Sequence, residues 1–260
     1  MKITSVTARD VRFPTSRHLD GSDSLNVGDY SATYVTVTTD QGLEGNGLTF
    51  TNGRGNELGV ASVRAIAPLV EGLAFEAITG DMRSFYHSLT QDAQLRWIGP
   101  EKGIFHMATG AVLNALWDLW AKREKKPLWK LLADMSPEQL VSTIDFMWIS
   151  DALTPEEAVA ILKRNEAGKA VREAEMRRDG FPAYTTSTGW LGYSDEKVRR
   201  LCKEAVAAGW THFKMKVGMD LEANLRRAAL MRAEIGPDRQ LSMDANQCWD
   251  VPEAIRQMKA

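Results

Sequence analysis

Two short apolar runs in the C-terminal half of the chain each end in polar triplets. Lys214-Met215-Lys216 ends the first run and Asp244-Ala245-Asn246 ends the second. Successive side chains on a strand point to opposite faces, so the first and third side chains of each triplet share a face. If both runs are strands of one parallel barrel, two ammonium groups and a carboxylate meet in one pocket. This pattern predicts a base beside a metal site.

The chain from Leu140 onward alternates between strand and helix patterns. Extended segments are predicted over 141–146, 183–187, 211–217 and 240–245, and helices are predicted to begin near Thr154, Ser194, Asp220 and Val251. Alternation of this kind indicates parallel βα units. A (β/α)8 barrel is favoured over an open sheet because two lysines lie within one strand and no glycine-rich first turn follows a strand.

The N-terminal half has a different pattern. Strands are predicted over 3–12, 34–39 and 43–50, and Asp40-Gln41-Gly42 is a turn signal between the last two. The polar segment 14–29 between the first two strands is longer than most connections. After His106, apolar residues recur at helical spacing as far as Trp120, and a short helix is predicted over 128–133. Strands followed by helices indicate an α+β unit.

Composition excludes several classes of protein. The 260 residues carry a formal net charge of -2, and lysine and arginine are scattered among acidic residues, so nucleic acid is not an expected partner. Two cysteines are too few for a disulfide framework and favour a reducing compartment. No stretch approaches the roughly 18–20 apolar residues that a membrane helix needs, and the N-terminus lacks a signal-peptide core. We expect a cytoplasmic protein without a membrane partner.

The paired lysines have a chemical and a structural interpretation. Like charge and burial both lower the pKa of a lysine, which would let Lys214 or Lys216 act as a base near neutral pH. The alternative is two lysines at a strand edge whose ammonium groups reach solvent. Asp244 is of the ligand type that Mg2+ prefers, although an aspartate can also cap the helix that follows a strand. Asp250 lies nearer the next helix and suits that cap better.

Longer segments carry a resemblance to a known family. The two triplets, on consecutive strands after an α+β unit, resemble the mandelate racemase subgroup of the enolase superfamily. Within that subgroup, four segments are similar to the L-fuconate dehydratases: 10–16, 95–103, 182–187 and 190–195. The resemblance covers the chain from its first residues to its last. It implies an α+β capping domain over residues 1–138 and an incomplete (β/α)8 TIM-type barrel, its first strands only, over residues 139–260.

The resemblance also implies a reaction and residue roles. The reaction is a Mg2+-dependent dehydration of an acid sugar such as L-fuconate to a 2-keto-3-deoxy acid, in which a lysine removes the proton next to the carboxylate. Lys216 is then the base and Lys214 its electrostatic neighbour. Asp244 is the first metal ligand and Asn246 contacts the substrate. The polar segment 14–29 together with Tyr30 is called the early loop below. Its residues Asp23 and Tyr30 would cap the pocket and bind the hydroxyls of the sugar.

Members of the family supply two more carboxylate ligands and a His-Asp pair from later strands, so we expect this chain to be an N-terminal portion without activity of its own. Cys248 also stands where the family has arginine. Three alternatives stay open: another acid-sugar dehydratase, an aldolase that uses a lysine Schiff base, and a non-catalytic binding protein. The oligomeric state is open too, with a homo-oligomer as one option for a full-length protein.

Overall fold

The computed structural model describes residues 1–25, 28–98 and 103–260. These residues form two compact units, one made of 1–12 with 31–179 and the other of 13–30 with 180–260. Residues 139–179 thus lie in the first compact unit and 13–30 in the second, while the boundary at residue 138 between capping domain and barrel stays a prediction. Within the first unit, Lys130 donates a hydrogen bond of 3.0 Å to Glu173, which ties the later helices to the earlier ones.

The first unit begins with an antiparallel three-stranded sheet. Its strands are β1 (Ile3–Arg12), β2 (Ser31–Thr39) and β3 (Glu44–Thr51), and β2 lies in the centre. The three predicted strands are therefore confirmed, and they form an antiparallel meander. β2 is rich in β-branched residues, and from Thr33 onward buried side chains alternate with half-buried ones, as expected of a strand with one face on the core.

Eight α-helices occur among the described residues of the first unit. They are α1 (Asn56–Ile66), α2 (Phe75–Gly80), α3 (Met82–Thr90), α4 (Ile104–Arg123), α5 (Leu128–Asp134), α6 (Pro137–Ser142), α7 (Pro155–Arg164) and α8 (Lys169–Asp179). The long helix α4 packs on the sheet so closely that a Cβ atom added at Gly47 of β3 would clash with the carbonyl oxygen of Ala111. The predicted helix after His106 is confirmed, and Leu113 and Trp117, which lie off its main apolar face, also pack against the core.

The predicted strand over 141–146 is wrong. Residues up to Ser142 belong to α6, and the described residues pair into strands only in two sheets that leave this segment out. Ser136 begins α6 with a capping box, in which its side chain accepts from the backbone N–H of Gln139 and the Gln139 side chain accepts from that of Ser136. Val141 and Phe146 are buried together against Ala158. Their apolar character reflects this small cluster rather than a sheet.

The second unit alternates strand and helix. Its elements are α9 (Asp195–Ala207), β4 (His212–Lys216), α10 (Leu221–Ile235), β5 (Gln240–Asp244) and α11 (Val251–Lys259). β4 and β5 pair in parallel, as the βα pattern predicts. The segment 183–187 is extended but joins β4 by a single bridge, between Thr185 and Phe213. Within the described ranges, no helix combines the length and apolar character needed to cross a bilayer.

Candidate active site

Strand β4 separates apolar from charged side chains. Phe213 and Met215 are fully buried in a core cluster that includes Val198 of α9 and Met231 of α10. Alternation along the strand therefore turns the side chains of Lys214 and Lys216 to the opposite face. The prediction that the two lysines share a face is confirmed.

Asp244 brings the two lysines together. The parallel register pairs Lys216 with Asp244 and Lys214 with Ser242. The Oδ2 atom of Asp244 lies 2.8 Å from Nζ of Lys216 and 3.0 Å from Nζ of Lys214. The side chain of Lys216 is only 7% exposed and that of Asp244 is 26% exposed. Three charges thus converge at the carboxyl ends of two neighbouring strands.

Asn246 completes this cluster from the turn after β5. Its side-chain oxygen accepts a hydrogen bond of 2.8 Å from Lys216, and its backbone N–H donates to Oδ1 of Asp244 at 2.9 Å. Asn246 has a φ of 47° and Gln247 a φ of 59°, so the turn contains two consecutive left-handed residues. Asparagine tolerates this conformation better than most residues. The turn folds the amide oxygen back towards the strand ends.

The shared carboxylate determines the electrostatics of the pair. Burial raises the pKa of Asp244, but hydrogen bonds from Lys216, from the backbone of Asn246 and from Lys214 outweigh it and hold the pKa well below its usual range. Burial likewise lowers the pKa of Lys214, but hydrogen bonds with Tyr184 and Asp244 raise it above its ordinary value. The expectation that like charge would depress the pKa is therefore wrong for Lys214, because Asp244 neutralises the neighbourhood.

Two aromatic residues flank the lysines, and sequence reasoning gave neither a role. Nζ of Lys214 donates a hydrogen bond of 2.9 Å to the hydroxyl of Tyr184 and lies 4.5 Å from the centre of its ring. Nζ of Lys216 lies 5.3 Å from the centre of the Trp190 ring, within cation–π range. Both aromatics belong to the segments 182–187 and 190–195 that carry the family resemblance. That resemblance was the one signal that could have identified them.

The early loop lies in the same compact unit as the lysines. The ring of Tyr30 meets that of Trp190 edge-on, with centroids 6.3 Å apart. Burial raises the pKa of Tyr30, the carboxylate of Asp23 adds to the rise, and Lys214 opposes it, so all three groups share one electrostatic environment. Asp23 also accepts a hydrogen bond of 2.8 Å from the backbone N–H of Leu25. The substrate-reading roles of Asp23 and Tyr30 stay predictions.

The donor types at the cluster suit Mg2+, but they are few. Among the residues that the structure describes, no group of three or more histidine, cysteine, aspartate or glutamate side chains could hold a metal ion. Instead, Asp244 and Asn246 direct hard oxygens at one cation, the ammonium of Lys216, each at 2.8 Å. Mg2+ commonly takes one or two protein carboxylates and fills its octahedron with water and substrate oxygens. The two residues can therefore provide part of such a site.

Two family models match the chain in order. Residues 23–133 match the N-terminal domain of the mandelate racemase / muconate lactonizing enzyme family, and residues 197–260 match the enolase C-terminal domain-like family. The chain belongs to the enolase superfamily. It therefore combines an N-terminal α+β capping domain with part of a C-terminal TIM-barrel domain, and the two parallel strands β4 and β5 lie in the latter.

Individual members of the superfamily resemble this chain over nearly its whole length. Human mitochondrial enolase superfamily member 1 is 54% identical, and its crystal structure matches 99% of this chain and 59% of its own with a TM-score of 0.96. L-galactonate dehydratase of Hypocrea jecorina is 51% identical over 99% of this chain and 58% of its own length. The chain thus spans about three fifths of the length of these relatives.

A more distant member of the superfamily supports the fold. L-talarate/galactarate dehydratase of Salmonella typhimurium LT2, in a crystal structure with Mg and L-lyxarohydroxamate, has a TM-score of 0.71 at 22% identity. That alignment covers 99% of this chain and 55% of the other. The family models and the relatives at 51% and 54% identity confirm the predicted superfamily, whereas the match at 22% identity supports the fold alone. The L-fuconate dehydratases are not among the relatives described above.

Proposed function

We propose that this chain supplies the base and the first metal ligand of a Mg2+-dependent acid-sugar dehydratase. The observation that carries the proposal is the convergence of Lys214, Lys216 and Asp244 at the carboxyl ends of β4 and β5. Active sites of β/α barrels lie at this end of the strands. Homology to L-galactonate dehydratase adds the reaction class.

The side-chain oxygen of Asp244 would hold the metal, and the side-chain oxygen of Asn246 is the proposed contact to the substrate. When bound, Mg2+ would supply positive charge that stabilises negative charge developing on the substrate carboxylate. Lys216 is the proposed base because its Nζ already lies between these two oxygens, 2.8 Å from each. To act as a base, the Lys216 amine must leave these contacts, lose its extra proton and turn towards the carbon next to the carboxylate.

The proposed reaction removes one molecule of water from the acid sugar. Lys216 takes the proton from C2, and the electron pair of the C2–H bond is first delocalised into the carboxylate as an enediolate. The enediolate either takes a proton back at C2 or forms the C2–C3 double bond as the C3–O bond breaks. The hydroxyl of C3 leaves and takes up a proton to become water, and the resulting enol rearranges to the 2-keto-3-deoxy acid. General base catalysis of this step typically contributes about 10²–10⁴-fold to the rate.

Lys214 has a different part in the proposal. Its pKa is raised by its hydrogen bonds with Tyr184 and Asp244, which outweigh burial, so it stays protonated at neutral pH. A fixed ammonium group beside the reacting carboxylate stabilises negative charge without exchanging a proton. Tyr184 keeps this group in place through a 2.9 Å hydrogen bond. Lys214 is thus the electrostatic neighbour and Lys216 the base.

The proposed substrate class is the six-carbon monoacid sugars with the L-galacto configuration. L-galactonate is the substrate in the name of the Hypocrea jecorina relative. L-fuconate, suggested by the sequence segments, is 6-deoxy-L-galactonate, so the two acids share every stereocentre from C2 to C5. Both present the same C2 proton and C3 hydroxyl to Lys216. Asp23 and Tyr30, in the early loop, are the proposed readers of the sugar hydroxyls.

The test uses the chain joined after Ala260 to the part of Hypocrea jecorina L-galactonate dehydratase that follows the matched region, with Mg2+ and either acid in D2O. Proton NMR then follows both the 2-keto-3-deoxy product and the exchange of the C2 proton for deuterium. We expect Lys216→Ala to abolish both signals and Lys203→Ala, on the exposed side of α9, to abolish neither. C2 exchange that survives Lys216→Ala in a folded protein would remove Lys216 from the role of base.

A further inference from the structure

Hydrogen bonds at Asp20, Ser22 and Ser24 join the early loop to the rest of the second unit, of which it is a part. Ser22 accepts hydrogen bonds from the backbone N–H groups of Leu191 and Gly192, at 3.1 Å through its carbonyl and 3.0 Å through its hydroxyl. Ser24 donates to the carbonyl of Ala245 at 3.1 Å. The third attachment, at Asp20, is the one that involves charge.

Asp20 is held by two side chains that bracket the start of α9. Its Oδ1 atom accepts a hydrogen bond from the hydroxyl of Tyr193 and another, of 3.0 Å, from Nζ of Lys197. The same Nζ donates to the carbonyl of His18 at 2.8 Å and lies 3.7 Å from the centre of the Tyr193 ring. Hydrogen bonds to a carboxylate are about twice as strong as neutral ones. Tyr193 is itself buried, so the cluster is more than a surface ion pair.

Gly21, next to Asp20 in the chain, contacts the side chain of Tyr30. It has a φ of 79°, and a Cβ atom added there would clash with the ring of Tyr30. The Tyr30 hydroxyl donates a hydrogen bond of 3.3 Å to the Gly21 carbonyl. Tyr30 in turn meets Trp190 edge-on, and the Trp190 ring faces Nζ of Lys216. A continuous series of contacts therefore links Asp20 to the proposed base.

We infer that Tyr193 and Lys197, acting through Asp20, are positioning residues that hold Tyr30 against Trp190 beside Lys216. The inference rests on the proposed function, because the wall formed by Tyr30 and Trp190 would orient the acid sugar relative to Lys216. Neither Tyr193 nor Lys197 contacts the lysines, so their effect on the reaction is indirect. Their removal would leave the base in place and loosen the wall beside it.

The first experiment needs no substrate and uses the 260-residue chain. Hydrogen exchange of the Leu191 and Gly192 amides reports attachment of the loop, because both donate to Ser22. In Lys197→Met we expect exchange to accelerate by about tenfold, the ratio that corresponds to about 1.4 kcal/mol. Lys197→Arg restores a charged donor and should stay near the wild-type rate. Lys203→Met, on the same helix and 70% exposed in its lysine side chain, is the matched control.

The second readout is the fluorescence of Trp190, obtained as the difference between each protein and its Trp190→Phe counterpart. Loss of the Tyr30 contact exposes the indole, so this difference emission should shift to longer wavelength in Lys197→Met and in Tyr193→Phe. Lys203→Met should leave it unchanged. Exchange rates and emission that stay at wild-type values in both Lys197→Met and Tyr193→Phe would overturn the inference.

The last readout uses the extended protein proposed for the dehydration assay. A loosened wall should bind the acid sugar less tightly, so KM should rise more than kcat falls in Lys197→Met, whereas Lys216→Ala should remove turnover. If the extended protein has no dehydratase activity but exchange and emission respond as expected, the proposed function fails and the positioning cluster stands. If the extended protein is active but Lys197→Met does not raise KM more than it lowers kcat, the positioning role is wrong and the proposed function stands.

Discussion

The three-stranded sheet of the first unit and the two-stranded sheet of the second differ in the side chains that their less buried faces carry. The central strand β2 buries most of its side chains, and the half-buried ones, Tyr34, Thr36 and Thr38, carry no charge. Strand β4 buries one face in the same manner, but its other face carries Lys214 and Lys216. β2 therefore buries no charge, whereas β4 holds two cations whose desolvation is compensated by the carboxylate of Asp244.

The largest effect should come from a cavity in the first unit. Leu116 of α4 is fully buried in its core, so Leu116→Ala should lower the free energy of unfolding by about 2–5 kcal/mol. Urea denaturation measures the loss, and hydrogen exchange by segment locates it. Leu128→Ala, in the short helix α5, is the control because this leucine is 38% exposed. If amides of β4 lost as much protection as those of α4, the two units would not differ in what stabilises them.

A smaller effect is expected at the charged face of β4. Asp244→Asn removes the negative partner of both lysines and should lower the free energy of unfolding at pH 7 by about 1–2 kcal/mol. Despite the opposing effect of burial, the hydrogen bonds from Lys216, Asn246 and Lys214 depress the pKa of Asp244 in the folded state. Its contribution is therefore complete above the ordinary pKa of 3.8 and is lost as pH falls towards the depressed value.

Denaturation between pH 7 and pH 2 checks this prediction. The difference between wild type and Asp244→Asn should be constant above about pH 5 and shrink below the ordinary pKa of aspartate. Asp238→Asn, at an exposed position before β5, is the control and should show little difference at any pH. A difference that grew on acidification would mean that Asp244 is held in its protonated form.

The same contrast explains what sequence could and could not predict. Local patterns were sufficient for the three-stranded sheet, because a short turn joins β2 to β3 and a polar loop separates β1 from β2. They were also sufficient for α4, whose apolar residues recur at helical spacing, and for the shared face of Lys214 and Lys216, which follows from strand alternation alone. These features depend on neighbours in the chain.

Features that depend on distant residues were missed. The raised pKa of Lys214 requires Asp244 and Tyr184, each about 30 residues away in the chain. Trp190 reaches Lys216 only through the fold. The wrong strand over 141–146 has a local cause, because its β-branched residues favour a strand while the helix start at Ser136-Pro137-Glu138-Gln139 favours a helix.

Two capping boxes of the same form test whether a helix start outweighs β-branched composition. The expected changes in the free energy of unfolding are the smallest of those predicted. Thr154 begins α7 and was recognised from sequence, whereas Ser136 begins α6 and was overlooked. Each side chain accepts a hydrogen bond of 3.2 Å from the backbone N–H three residues on. Thr154→Ala and Ser136→Ala should each lower the free energy of unfolding by about 1 kcal/mol.

Urea denaturation measures both variants, and hydrogen exchange in residues 137–142 and 155–164 assigns each loss to its helix. Ser142→Ala is the control, because that residue lies at the end of α6 and its hydroxyl donates only to the carbonyl of Gln139. If 141–146 were a strand, Ser136 would have no helix to cap, and Ser136→Ala would leave stability unchanged while Thr154→Ala lowered it. Equal losses instead mean that the cap, a local signal, outweighs β-branched composition in this segment.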